Sequence, residues 1–272
     1  MPLSEIRLGP ELARLCPSEL IVADGQEGSL QDAEAEFGVS LTPLGRSAFD
    51  SSGAEKRLCR LFSVGTLEAF GQFTRPEIAA MGAVVEYLEI TQKGKLPLLA
   101  PPVRESESRV MQIDAATRRN LELTQALSGG RAGSLLSAID RTVTAGGGRL
   151  LERRISSPSR VAATILSRLD AVQYMVEQSR FRDQLRDALR KVPDLDRALS
   201  RLGLDRGGPR DLAAIRNGLT QAALISQMAN AGDPPSLVTS AMQDLLGHDD
   251  LLDLLDQALV ADPPLLARDG GF

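Results

Sequence analysis

The chain has 272 residues, 43% hydrophobic and 25% charged, with a net charge of −5, which fits one large globular domain or two ordinary ones and excludes a mostly disordered polypeptide. No run approaches the roughly eighteen uninterrupted apolar residues of a membrane helix, and Met1 to Glu5 lack the basic flank and apolar stretch of a secretory signal, so a cytoplasmic protein without membrane association is expected. Two isolated cysteines, Cys16 and Cys59, and one histidine, His248, exclude a disulfide framework, a cysteine zinc site, histidine-based triads and multi-histidine metal centres.

In chain order, the first hundred residues read as mixed α/β. Glu11 to Leu15 carry a short helical pattern after Gly9 and Pro10, and Leu20-Ile21-Val22, closed by Asp24-Gly25, suits a buried strand. Ser51 or Ser52 is placed to cap a helix running to Phe62. Arg75-Pro76-Glu77 opens another with proline near its first position, continuing through Met81, Val84, Val85 and Leu88. It runs out at residues 92–95, and Pro97 with Pro101-Pro102 marks the expected boundary between domains.

Beyond the prolines the pattern reads as all-α. Ile165, Leu169, Val172 and Val176 form one apolar stripe at helical spacing; Leu185, Leu189 and Val192 form a second, and Leu195, Leu199 and Leu202 a third after Pro193. Gly207-Gly208-Pro209 starts a longer helix through Leu212, Ile215, Leu219 and Ile225, and Pro234-Pro235 and Asp249 begin two shorter ones. With seven Phe, two Tyr and no Trp, most of the core is expected to be aliphatic. Charge is uneven: residues 1–103 carry 9 basic and 14 acidic side chains, residues 104–210 carry 20 and 13, and residues 211–272 carry 2 and 9. The basic middle third fits a solvated, salt-bridged helical surface better than a nucleic-acid-facing patch.

Local chemistry is sparse. Gly94-Lys95 is followed by Leu96 and lacks the upstream glycine of a phosphate-binding loop. Gly146-Gly147-Gly148 reads as an interhelical turn in preference to an anion site. Asp249, Asp250, Asp253 and Asp256, with His248 beside them, fit an exposed helical face and not a metal site. Neither cysteine has a histidine at a distinctive spacing, so a thiol nucleophile has no support.

Residues 111–123, Met-Gln-Ile-Asp-Ala-Ala-Thr-Arg-Arg-Asn-Leu-Glu-Leu, carry a different signal. Asp114 is a good helix cap, and Arg118, Arg119 and Asn120 offer donors within one turn. The string closely resembles the opening of the core, or lever, region of MutS-type DNA mismatch-repair proteins. The similarity continues through Ser134-Leu135-Leu136, Ile139-Asp140-Arg141-Thr142-Val143-Thr144, Gly147, Arg149-Leu150-Leu151 and Pro158, then Asp194-Leu195-Asp196-Arg197, Pro209-Arg210-Asp211-Leu212 and the ending from Pro263-Pro264 to Arg268-Asp269-Gly270-Gly271. Upstream, Glu11 to Leu15, Pro17 to Ile21 and the helix from Ala79 to Gln92 resemble the later part of the family's connector domain.

The resemblance implies a mainly α chain: part of an RNase H-like α/β connector over residues 1–102, a long-helix lever or core bundle over 103–262, and the start of the clamp region at 263–272. In the family these parts join mismatch-reading and clamp modules that hold DNA to a C-terminal ATPase that uses ATP and magnesium, and connector surfaces dock a MutL-type partner. None of the seven phenylalanines is followed two positions on by glutamate, as the family's mismatch-reading motif requires, and no Walker motif is present, so the chain is expected to be an internal fragment that catalyses nothing and binds no cofactor itself. Asp114, Arg118, Arg119, Asn120, Thr142, Thr144, Arg149, Arg210 and Asp211 are the expected structural and relay positions, serving as caps and inter-element hydrogen bonds. Ala145, Gly146 and Arg154 stand where the family usually has proline, methionine and tryptophan, a change expected to cost roughly 1 to 3 kcal/mol or more if those sites are buried. Apolar stripes between residues 165 and 225 are expected to be partly uncovered, favouring self-association. The alternative is a stand-alone helical interaction module that binds a repair partner; an RNase H-like nuclease is disfavoured for want of clustered carboxylates on strands.

Overall fold

The computed structural model describes residues 5–105, 109–228 and 232–272; the first four residues, read above for a secretory signal, lie outside them. The chain is mainly α with a small α/β part, and it divides into two compact units, Met1–Leu135 and Leu136–Phe272.

The first unit opens with α1 (Glu5–Leu15), β1 (Glu19–Ala23), α2 (Gln31–Phe37) and β2 (Ser40–Leu44). The two strands pair in parallel, Glu19 opposite Ser40 and Val22 opposite Pro43, with α2 in the crossover that parallel strands require. Helix α1 begins earlier than the Gly9-Pro10 punctuation suggests: Pro10 lies inside it, giving up one internal hydrogen bond without ending the helix. After β2 come α3 (Ser51–Leu61) and α4 (Arg75–Thr91). The α3 cap is Asp50, one residue before the expected serines, because its carboxylate accepts the Gly53 N–H at 2.7 Å. The α4 cap is Thr74, whose N–H and hydroxyl both donate to Glu77, at 2.7 and 2.8 Å.

Helices α3 and α4 approach so closely that a Cβ on Gly82 would stand 2.2 Å from the Ala54 Cβ. Arg57 locks the pair, donating to the Gly82 carbonyl at 3.0 Å and to Glu86 at 2.6 Å. Their core is Leu58, Leu67 and Val85, with Phe62, Phe70 and Phe73 around it. Phe62 and Phe70 meet edge to face at 5.4 Å. After Pro101-Pro102 the chain stays with this unit: Arg104 pairs with Glu77 at 3.1 Å, and the short α5 (Ala115–Asn120) packs on α1. Residues 121–134 are turns and bends within a region whose pattern reads as all-α, with Glu122, Gly129, Gly130 and Gly133 at positive φ.

The second unit is helical throughout. Helix α6 (Leu135–Ile139) begins at the division, followed by α7 (Ala145–Ser156), α8 (Ala162–Glu177), α9 (Ser179–Leu189), α10 (Leu195–Gly203), α11 (Pro209–Ser226), α12 (Ser236–Gln243) and α13 (Asp249–Ala258). The centre is α11, which packs against α9, α10, α12 and α13. Gly218 on it lets Leu195 of α10 in: a Cβ there would stand 2.4 Å from the leucine methyl. Tyr174, Phe181 and Val238 form a second small core, the two rings edge to face at 6.1 Å. Gly146, Gly147 and Gly148 are not an interhelical turn; they form the first turn of α7, because Thr144 caps it by accepting the Gly147 N–H at 3.0 Å. Ala145, Gly146 and Arg154 are all exposed, so the burial on which their expected cost depended is absent here.

Candidate functional site

The expected relay residues fall into three groups at helix ends, one in the first unit and two in the second. In the first unit, Asp114 caps α5: its carboxylate accepts the Thr117 hydroxyl at 2.6 Å and the Thr117 N–H at 2.8 Å, and these two bonds, the hydroxyl first, hold it below the usual carboxylate range. Arg118 is 7% exposed, and burial pushes its guanidinium below the ordinary value, with Arg14 adding to the fall and Glu11 opposing it. Glu11 is itself buried and accepts Arg14 Nε at 2.6 Å, while Arg14 Nη2 donates to Glu105 at 2.9 Å. Arg118 and Arg119 line an open cleft of about 350 Å³ with Cys16, Phe37, Gln125 and Leu127. Asn120 ends α5, exposed.

In the second unit, Thr142 closes a turn through its N–H and hydroxyl to Asp140, at 2.9 and 2.7 Å, and Thr144 caps α7. One turn further on, Arg149 donates to both oxygens of Asp194, at 3.2 and 2.9 Å, and to Asp196 at 2.7 Å. This fork raises the guanidinium above its ordinary value and holds Asp194 below the usual range, with Arg149 the largest cause. Asp194 also caps α10 through the Arg197 N–H, so a single carboxylate ties α7 to the start of α10.

The third group sits where α11 begins. Asp211 accepts the Gly208 N–H at 2.9 Å and both oxygens lie 3.1 Å from Arg201 Nε, joining α10 to α11. Arg210 Nε donates to the Pro263 carbonyl at 3.3 Å. Two turns along α11, Arg216 is 8% exposed and donates to the carbonyls of Leu259, Val260 and Ala261 at 3.2, 3.0 and 3.0 Å, with Asp256 at 3.7 Å. A cation at the last turn of α13 also meets the negative end of the helix dipole.

Sequence reasoning missed Arg216 and Arg201. Nothing local marks Arg216, whose partners lie 43–45 residues away. Asp194 and Asp196 were visible as part of a motif but without a role. Together, the second unit holds a continuous series of charged contacts: α7 to α10 through Arg149, α10 to α11 through Arg201 and Asp211, and α11 to residues 259–263 through Arg216 and Arg210. Among the described residues no group of His, Cys, Asp and Glu could hold a metal ion, and no helix is long and apolar enough to cross a membrane.

The second unit is thus a set of helices joined near their ends by ion pairs and a buried arginine, and no metal-binding cluster is found among the described residues. Two family models match it, one described as MutS domain II over residues 3–100 and one as MutS domain III over residues 116–272. The chain is 63% identical to the DNA mismatch repair protein MutS of Roseobacter denitrificans over its whole length, covering 31% of that protein. It is 65% identical over 98% of its length to the MutS of Cereibacter sphaeroides, covering 30% of it, and 62% identical over its whole length to that of Paracoccus denitrificans, covering 31%. The chain therefore belongs to the MutS family of DNA mismatch-repair proteins, and it spans about 30% of the length of these curated relatives.

Proposed function

We propose that this chain is the connector and lever portion of a mismatch-recognition protein, passing movement between modules that grip DNA and a module that hydrolyses ATP. In this reading residues 1–102 are connector, 103–262 lever, and 263–272 lead into the clamp. The series of charged contacts in the second unit supports the reading most directly, since bidentate and buried latches at helix ends let a shift of one helix carry its neighbour as a rigid body. Arg216 and Arg210 hold residues 259–263, so the exit towards the clamp moves with α11. Asp114, Arg118, Arg119, Asn120, Thr142, Thr144, Arg149, Arg210 and Asp211 act as positioning residues and none is catalytic. ATP and magnesium are assigned to a module that these residues do not span, and the Gly147 N–H serves the α7 cap on Thr144. DNA is bound by the whole protein, a MutL-type partner docks through the connector, and the setting is cytoplasmic.

The test places this segment in full-length Roseobacter denitrificans MutS, with and without Arg216→Ala. The variant is expected to keep basal ATP hydrolysis and paired-duplex binding within about twofold while the response of hydrolysis to mismatched DNA falls at least about tenfold, roughly 1.4 kcal/mol of coupling. Equal response in both proteins would sink the relay assignment. A fall in all three activities would show that the latch serves folding alone.

A further inference from the structure

The turn that joins α5 to α6 is closed by a residue that stands outside the relay positions. Glu122 has a φ of 46°, in the left-handed region that residues with a side chain enter rarely and at a cost. Three hydrogen bonds engage it there. Its N–H donates to the Arg119 carbonyl at 3.0 Å, its carbonyl accepts the Leu135 N–H at 2.8 Å, and its carboxylate accepts the Leu127 N–H at 2.5 Å. One backbone angle thus ties together the last turn of α5, the middle of the turn and the first residue of α6. A strained angle persists only where its surroundings hold it, and rotation back to an ordinary φ would carry the carbonyl and the carboxylate off both N–H groups together.

The chain on either side of Glu122 differs in how firmly it is held. Before it, α5 packs on α1 and Arg118 is buried. The segment marked by Pro97, Pro101 and Pro102 is followed by Arg104 and Glu105, which pair with Glu77 and Arg14, so the chain is tied down there. After Glu122, Leu123 and Ser134 are buried at the two feet of the turn, but the tip between them has little to rest on. It closes on itself: the Ala126 N–H donates to the Gly130 carbonyl and the Gly129 N–H to the Ala126 carbonyl, both at 2.9 Å. A Cβ on Gly129 or Gly130 would meet no described atom within 4 Å, and Leu127 beside them is 65% exposed. A segment with so little buried around it opens more readily than the helices that flank it, and the bonds of Glu122 are what oppose that opening.

We propose that Glu122 is a latch on residues 123–134, and that this turn opens locally, while the α3–α4 and α10–α11 pairs stay folded, when the latch releases. The chain then carries its joint between α5 and α6 and not at the prolines of 97–102. What such an opening serves rests on the relay reading; the latch itself does not.

Hydrogen exchange of the full chain, followed by mass spectrometry, tests it. Wild-type peptides within residues 123–134 are expected to exchange at least about tenfold faster than those of α4 and α11. Glu122→Ala is expected to speed the 123–134 peptides at least about fivefold further and to leave those of α4 and α11 within about twofold of wild type. Glu122→Gln, whose amide oxygen still accepts the Leu127 N–H, is expected to lie closer to wild type than to the alanine variant. Exchange of 123–134 as slow as that of α4 and α11 in wild type overturns the proposal, since the turn would then open only with the whole fold. So does an alanine variant that exchanges as wild type does, one that speeds α4 and α11 equally, or a glutamine variant as fast as alanine. None of these outcomes bears on the response of ATP hydrolysis to mismatched DNA, which tests the relay separately.

Discussion

Glu77 shows how a single side chain ties local structure to pH. Burial would raise this carboxyl, but the Thr74 N–H, the Thr74 hydroxyl and Arg104 together outweigh it and hold the group below its ordinary 4.5. A folded value below the unfolded one means the carboxylate contributes stability that is complete above about pH 4.5 and is lost as pH falls through the folded value. Glu77→Gln removes the charged cap of α4 and is expected to lower stability by about 1 kcal/mol at neutral pH. It should also flatten the fall in urea midpoint on the acid side; identical acid limbs in variant and wild type would show that Glu77 does not titrate there. Caps of this kind are legible in sequence because partner and backbone lie within three residues: Asp114 is placed by its own string. The serines beside Asp50 misled the reading for the same reason, since three adjacent residues could each cap and only the geometry chooses. Arg216 is illegible because its acceptors are backbone carbonyls brought to it by tertiary packing.

At the scale of elements, glycine separates close packing from loose turns. Gly82 has no room for a Cβ, which would overlap the Ala54 Cβ at 2.2 Å with backbone behind it at 2.8 Å. Gly82→Ala is therefore expected to push α3 and α4 apart and cost about 1–3 kcal/mol, exceeding the roughly 1 kcal/mol that helix propensity returns. Gly146, with only the flexible end of Arg149 at 4.0 Å, has space. Gly146→Ala is expected to stabilise the chain by about 0.4–1 kcal/mol, chiefly by restricting the unfolded state. Urea midpoints for the two variants should move in opposite directions; a shared sign would show that the close approach of α3 to α4 is not rigid. Periodicity found α8 to α11 because each has a one-sided apolar stripe, although on α8 much of that stripe faces outward and not into a core. It missed β2, a five-residue strand with Pro43 inside it, since proline lacks the N–H a ladder uses and argues against a strand. The glycines at 129, 130 and 133 carry the signal that residues 121–134 turn back on themselves, where the Leu135 N–H reaches the Glu122 carbonyl at 2.8 Å.

For the whole molecule, net charge alone misdirects. Five of the twenty basic side chains in the middle third are paired with carboxylates: Arg104 with Glu77, Arg149 with Asp194 and Asp196, Arg182 with Asp183, Arg190 with Asp187 and Arg201 with Asp211. Others, Arg119, Arg153, Arg154, Arg160, Arg168 and Arg186 among them, have no carboxylate partner among the described residues. Each phosphate neutralised contributes about 0.9 to the slope of log affinity against log salt, so a contact limited to a few scattered arginines gives a slope of roughly −3. Binding of this chain to duplex DNA is accordingly expected to be weak and lost by physiological salt. It should also differ less than about twofold between mismatched and fully paired duplexes, because phosphate contacts position a protein without reading bases. Fluorescence anisotropy across a salt series measures both quantities. A steeper slope would show that the unpaired arginines of the middle third act together as a basic track, and a clear preference for the mismatch would place base readout within these residues instead of in the modules they are proposed to connect.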